Sequence, residues 1–247
     1  MTAEAVRIAM WSGPRNISTA MMRAFGGRAD CAVIDEPFYG PYLAATGIDH
    51  PLREAVLAAR PGTWRQVVRQ LEGPVPGGRP ILYAKHMSHH MLGEIGLGWM
   101  DRWRNAFLIR APEEVLASYG ARRAVVTESD IGFVRQGELF DREADRLGRA
   151  PPVIDARDVL SDPPRALSAL CRALAIPFDP AMLSWPPGPR ATDGPWAPAW
   201  YDAVERSTGF APPGAPVRPK ELDPTLRPIA RAARPHYERL ARHKLRW

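Results

Sequence analysis

Arg15, Ser18 and Thr19 lie just past a Gly13-Pro14 turn in the stretch MWSGPRNISTAMMRAF, Met10 to Phe25. An apolar run ends at Trp11, and helix-forming residues begin at Ser18. A strand, a tight turn and a helix start aim backbone N–H groups and the positive end of a helix dipole at one point. Arg15 adds a bidentate cation there. The Ser18 and Thr19 hydroxyls can cap the helix or donate to an anion. The stretch therefore fits an anion-binding loop, and equally an ordinary β-to-α turn with a Ser/Thr cap. It does not fit the nucleotide-hydrolase loop GxxxxGK[ST]: counted from Gly13, Ser18 stands at the second Gly position and Thr19 at the Lys position.

A second stretch, FLIRAPEEVLASY from Phe107 to Tyr119, ends a strand on Arg110 and opens a Pro-led helix, with Ser118 eight residues after the Arg. The carboxyl end of a parallel strand is where such sheets bind ligands. Two cationic loops at neighbouring strand ends would suit a ligand with two separated phosphates. Arg110 could instead pair with Glu113 or Glu114.

Groups for proton transfer come from two further places. Glu36, in DEPFYG, closes a second strand. Lys85 and His86, in YAKHMSHHM, close a third. Adjacent strand residues point to opposite faces, so only one of Lys85 and His86 is expected at a common site. His86 and His90 stand at i, i+4 and Glu94 follows, but HExxH is absent and no cysteine is near, so a segment lining a cleft is expected and no metal.

The elements that must position these groups alternate. Strands are expected at Val6–Trp11, Cys31–Asp35, Pro80–Lys85, Asn105–Arg110 and Pro152–Asp155. Helices are expected at Ser18–Gly26, Thr63–Leu71, Glu113–Ala121, Pro163–Leu174 and, long and exposed, Ser129–Leu147. Alternation of this kind implies an α/β fold: three α/β/α layers around a central, mainly parallel sheet. Residues 1–247 are expected to form one domain. Within it, residues 177–219 carry eleven prolines with Trp185, Trp196 and Trp200, and read as irregular chain wrapping the domain with one helix near Ala199–Ser207. Residues 223–247 read as a basic helix with a solvated face.

Composition sets bounds. Net charge is +6 and the pI about 9.7, which favours anionic partners. Only Lys85, Lys220 and Lys244 among 33 basic residues are lysine, an Arg skew that weakens the inference from pI. Cys31 and Cys171 suggest two reduced core thiols. No stretch approaches the ~20 apolar residues of a membrane span, and MTAEAVRIAM lacks the layout of a secretion signal, so a cytoplasmic protein that binds neither membrane nor nucleic acid is expected.

The pair GPRNISTAMM and LIRAPEEVLASY resembles the sulfotransferases that use 3′-phosphoadenosine 5′-phosphosulfate (PAPS). Their first loop commonly reads close to PRSGTTLM or PKSGTTW and holds the 5′-phosphosulfate; their second motif, a strand-end Arg with a Ser eight residues later, holds the 3′-phosphate. VIDARDVLSDPPRALSALCRALAIPF is also similar to a segment of that family, so the resemblance runs from about Val6 to Phe178, and WPPGP and WY…STGF are shared with bacterial sulfotransferase-like chains. It implies a sheet of P-loop NTPase type, Arg15, Asn16, Ser18 and Thr19 at the 5′ end of PAPS, Arg110 and Ser118 at the 3′-phosphate, and transfer to a hydroxyl or amine of a small-molecule acceptor without a metal. Glu36 resembles the proposed base of carbohydrate-type members. His86 resembles, less closely, the Lys-x-His of cytosolic members. Lys85 with Arg15 would stabilise the phosphosulfate. Departures are Asn16-Ile17 in place of Ser-Gly, and Arg218 with Lys220 as a weak substitute for a GxxGxxK element. Ile17 is β-branched and takes a positive φ only at a cost, so either the loop backbone or the hold on the sulfate should differ. The rival readings are a P-loop nucleotide kinase or hydrolase, and a non-catalytic nucleotide-binding protein with the same fold. The aromatics Phe38, Tyr39, Tyr42, Trp185, Trp196 and Trp200 are expected mainly to pack the core.

Overall fold

A computed structural model describes residues 5–123 and 125–247; residues 1–4, on which part of the leader reading rests, and Ala124 lie outside the described residues. Five parallel strands form one sheet: β1 (Val6–Ser12), β2 (Cys31–Asp35), β3 (Ile81–Met87), β4 (Arg104–Ile109) and β5 (Val153–Asp155), in the spatial order β2-β3-β1-β4-β5. All of β3 is buried, and β1 is buried from Ile8 onward. Such apolar runs suit parallel strands covered on both faces.

Alternate residues serve opposite faces. Ile8 and Met10 join Tyr83 and Leu108 in one core, under α1 (Ser18–Gly26), α8 (Ala156–Ser161) and α9 (Pro163–Ala173). Ala9 and Trp11 join Leu82, Ala84 and Phe107 in the other, under α4 (Trp64–Glu72), α7 (Phe133–Leu147) and α12 (Arg227–Ala241). The three-layer α/β/α expectation holds.

Several local expectations need correction. The chain from 128 to 147 is two helices, α6 (Glu128–Ile131) and α7, because Gly132 takes φ 66 between them. α7 is half a core helix, burying Phe133, Gln136, Leu139 and Phe140. The expected helix near 199–207 is two short ones, α10 (Ala197–Trp200) and α11 (Asp202–Glu205). The basic tail packs α12 on α5 (Pro112–Gly120) and α7, burying Ala230, Ala233 and Leu240. After it, the Leu245 N–H donates to the Val153 carbonyl on the β5 edge. Two helices unsignalled in the sequence, α2 (Tyr39–Thr46) and α3 (Arg53–Ala59), follow β2. Cys31 and Cys171 are free and buried, and burial pushes the thiols up to about 12 and about 11. Among the described residues no helix is long and apolar enough to cross a membrane.

Candidate functional site

The carboxyl ends of β1, β3 and β4 and the turn after β2 open on one cavity of about 380 Å³. Its floor is the loop from Pro14 to Ala20. Glu36, Lys85, Arg110 and Ser118 stand around it, and residues 196–214 close the far side. β2 is not beside β1: β3 lies between them. Glu36 reaches the cavity because its own backbone turns, at φ 38, past the end of β2.

Five non-glycine residues have positive φ among the described ones, and Arg15 (φ 55), Ile17 (φ 49) and Glu36 (φ 38) all line this cavity. Such strain costs of order 1–3 kcal/mol each and collects at functional sites. Ile17 therefore takes the left-handed backbone expected only of glycine, and its side chain packs on the core under α1, which offsets part of the cost. Ile17 is also the N-cap, and no side chain caps α1. The Ser18 and Thr19 hydroxyls make no hydrogen bond among the described residues, so they are not spent on capping. Asn16 lines the cavity with its neighbours, and its Nδ2 donates to the Leu108 carbonyl at 2.7 Å, anchoring the loop to β4.

The two cationic loops meet. Arg110 donates from Nη1 to the Arg15 carbonyl at 2.7 Å, and Arg15 donates from Nε to Ser118 Oγ at 2.9 Å and from Nη1 to the Trp200 carbonyl at 3.2 Å. The pairing of Arg110 with Glu114 is also present, at 2.9 Å, but Arg157 shares that carboxylate; Glu113 pairs with Arg234. Burial, and then the nearby Arg122 and Arg110, pull the Arg15 pKa down, with Asp202 opposing. That end of the cavity is short of negative charge.

At the other end sits a buried polar knot. Lys85 Nζ donates to Asp35 Oδ1 at 2.9 Å, to Glu36 Oε1 at 2.6 Å and to Tyr201 Oη at 2.5 Å. An ammonium has three donors, so none is left for a phosphosulfate, and the expected direct role of Lys85 on that group is not available in this arrangement. Burial alone would lower the Lys85 pKa, but Asp35 and Glu36 more than offset it and hold it well above its ordinary value. Burial pushes Glu36 up to about 7, with Lys85 opposing and Asp35 adding to the rise.

Alternation along β3 turns His86 away from the cavity. It lies 1% exposed on the opposite face, stacked on Trp11 at 4.5 Å and close to Phe38 and Trp99. Burial holds its pKa at about 3, so it is a neutral core residue and not a base in contact with the site. Its unfolded-state value, near 6.5, lies above the folded one. Hence His86 costs no stability above about pH 6.5 and costs more as pH falls toward 3. The variant His86→Phe should flatten acid unfolding between those limits, measured by denaturation at pH 4.5 and 7.5.

His89 and His90 do line the cavity, as expected. His90 is sandwiched between Tyr39 at 4.6 Å and Tyr42 at 4.8 Å. Burial lowers both imidazoles, His89 to about 4 and His90 well below its ordinary value. No group of three metal-ligating side chains is found among the described residues.

Sequence reasoning missed Asp35 and Tyr201. Two consecutive carboxylates in DEPFYG and a Trp-Tyr pair in APAWYD were the only signals. Tyr201 arrives from the Pro/Trp-rich segment, whose Asp193 makes a bidentate pair with Arg23 at 2.5 and 2.7 Å. Trp196 and Tyr201 are buried and Trp200 is part of the wall, so this segment packs and lines at once.

The sequence pattern of a family described as "Sulfotransferase domain" matches residues 6–243. Two Arabidopsis thaliana proteins, "Branched-chain-amino-acid aminotransferase-like protein 1" and "Branched-chain-amino-acid aminotransferase-like protein 2", are 38% and 35% identical over 214 and 205 residues. Those stretches cover 85% and 82% of this chain but 38% and 36% of theirs, so the chain spans well under half the length of these curated relatives. Among solved structures, the "Sulfotransferase Domain from the Curacin Biosynthetic Pathway" shares the fold, with a TM-score of 0.54 over 94% of this chain and 98% of that one at 16% identity.

Proposed function

The chain belongs to the sulfotransferase domain family, and on that premise we propose that it moves a sulfuryl group from PAPS to a hydroxyl or amine of a small-molecule acceptor. The observation that carries the reading is the junction of two cationic strand-end loops, through Arg15, Arg110 and Ser118, on one cavity that also holds a buried carboxylate. A donor with phosphate at both its 3′ and 5′ ends matches two anion sites; a donor with one phosphate chain would leave one of them empty.

In this reading the 5′-phosphosulfate lies on the loop from Pro14 to Ala20, against backbone N–H groups, the Ser18 and Thr19 hydroxyls and Arg15. Arg110 and Ser118 take the 3′-phosphate, Arg15 giving up its bond to Ser118. Glu36 removes the proton of the acceptor hydroxyl as that oxygen bonds to sulfur. The bond from sulfur to the 5′-phosphate oxygen breaks, and its electron pair stays on the phosphate. Arg15 and the loop donors oppose the charge that develops there. Lys85 acts on Glu36 rather than on the donor.

Calorimetric titration with 3′,5′-adenosine bisphosphate, without magnesium, tests the assignment. Saturable binding, tighter than that of ATP, is expected. No binding, or equal binding of ATP with magnesium-dependent turnover, would overturn it in favour of a P-loop kinase or hydrolase.

A further inference from the structure

Lys85 faces two carboxylates, but only one of them faces the cavity. Glu36 and Lys85 are part of its wall; Asp35 lies behind them, 1% exposed. Asp35 accepts from Lys85, from the Tyr201 hydroxyl at 2.7 Å and from the Gly194 N–H at 3.0 Å. The Tyr201 oxygen in turn accepts from Lys85 and from Trp196 Nε1 at 2.9 Å. Every polar atom of this inner pair is therefore engaged inside the protein, with partners drawn from β2, β3 and the 193–201 segment.

Consider the knot without Asp35. Glu36 would be the sole counter-ion of a buried ammonium. Protonating it would strand that charge, and a buried charge that loses its partner costs several kcal/mol. Glu36 would then be locked in its ionised form and would be a poor base. With Asp35 present, Lys85 stays paired whether Glu36 carries a proton or not. The three charged groups sum to −1 when Glu36 is ionised and to zero once it has taken a proton, so proton capture relieves an excess of negative charge.

We propose that Asp35 is the positioning residue of this site: held in place by Tyr201 and the Gly194 N–H, it engages Lys85 from behind and leaves Glu36 only a share of the ammonium, so that Glu36 can take a proton from the acceptor and hold it. The inference rests on the sulfuryl-transfer reading for its functional meaning. The proton goes from the acceptor oxygen to a Glu36 carboxylate oxygen as the new sulfur–oxygen bond forms and the bond to the 5′-phosphate breaks; Asp35 and Tyr201 neither gain nor lose a proton. The other titratable groups around Glu36 are Tyr39 from α2, Tyr119 from α5 and His90 after β3, with Arg15 across the cavity. Burial raises both tyrosines and lowers His90, so none of the three changes charge in the neutral range.

The test is an infrared pH titration of the carboxyl band on the unliganded protein, paired with the pH dependence of kcat and KM. One carboxyl titrating near neutral pH, absent in Glu36→Gln, is expected in the unsubstituted protein. In Asp35→Asn it should move to lower pH and carry the acid limb of kcat with it. At neutral pH kcat should then fall roughly tenfold, part of the ~10²–10⁴-fold a general base supplies, with KM for the donor nearly unchanged. Asp35→Glu should restore the neutral titration. Asp35→Ser, which also removes the inner carboxylate but is smaller, should move it in the same direction, and so decides the matter if Asp35→Asn does not fold. A carboxyl that stays in place or moves upward in Asp35→Asn, or in Asp35→Ser when only that variant folds, overturns the proposal. The titration needs no sulfuryl donor, so a failure of bisphosphate binding would remove the sulfotransfer reading without deciding this one.

Discussion

Glu36→Gln is expected to lower kcat by roughly 10²–10⁴-fold, the range over which a positioned general base contributes, while the affinity for 3′,5′-adenosine bisphosphate stays within about twofold, well under the 1.4 kcal/mol that a tenfold change represents. Gln keeps the shape of the side chain and one oxygen for Lys85, so the cavity should persist, but it cannot take a proton. The base must be ionised to act, and Glu36 is held at about 7. The rate should therefore climb with pH through neutrality and level off above it, and Gln should abolish that limb. The sign for stability is opposite. The folded value lies above the ordinary 4.5, so the contribution of Glu36 is complete below about pH 4.5 and is lost as pH rises through about 7. Denaturation at pH 5 and pH 8.5 should show this slope in the unsubstituted protein and a shallower one in Glu36→Gln. Full activity in Glu36→Gln would remove Glu36 from the chemistry and, with His86 on the far face of the sheet, leave no other candidate raised from the sequence.

Arg110→Ala is expected to weaken 3′,5′-adenosine bisphosphate by roughly 10- to 100-fold, since a hydrogen bond to a charged group contributes about 1.5–3 kcal/mol. Adenosine 5′-monophosphate, which lacks the 3′ group, should lose much less. Two structural facts make the comparison clean. Glu114 keeps Arg157 as a partner when Arg110 is removed. The loop from Pro14 to Ala20 loses the Arg110 bond to the Arg15 carbonyl but keeps the Asn16 anchor to Leu108. Ser118→Ala, which removes a neutral hydroxyl, should cost less, about 0.5–1.5 kcal/mol. Equal losses for the two nucleotides in Arg110→Ala, measured by calorimetry, would mean that Arg110 supports the loop and does not recognise the 3′-phosphate.

The parts of this site that depend on near neighbours in the chain were legible. The strand, turn and helix around Arg15, and the strand and Pro-led helix around Arg110, follow from hydrophobic period and turn chemistry within about a dozen residues. Alternation along a strand required that Lys85 and His86 part company. Which of them faced the site was not legible, because that depends on which sheet face each strand end presents. With β3 inserted between β1 and β2, Met10 lies beside Lys85 and Trp11 beside His86, so Lys85 shares the face of the anion loop and His86 joins the tryptophans. Ile17 misled because a local preference was outweighed by its packing on the core.

The sequence by itself determined the layered α/β architecture and the two cationic loops, and it placed Glu36 and Lys85 at strand ends, since each of these is written in short-range pattern. Only the tertiary structure decided that Tyr201 stands on Asp35 across 166 positions of chain, and that the two cationic loops bond to each other through Arg15. Contacts of that kind carry no periodic signal. They are settled by strand order and by the need of each buried charge for a partner, and only the folded chain states which partners are within reach.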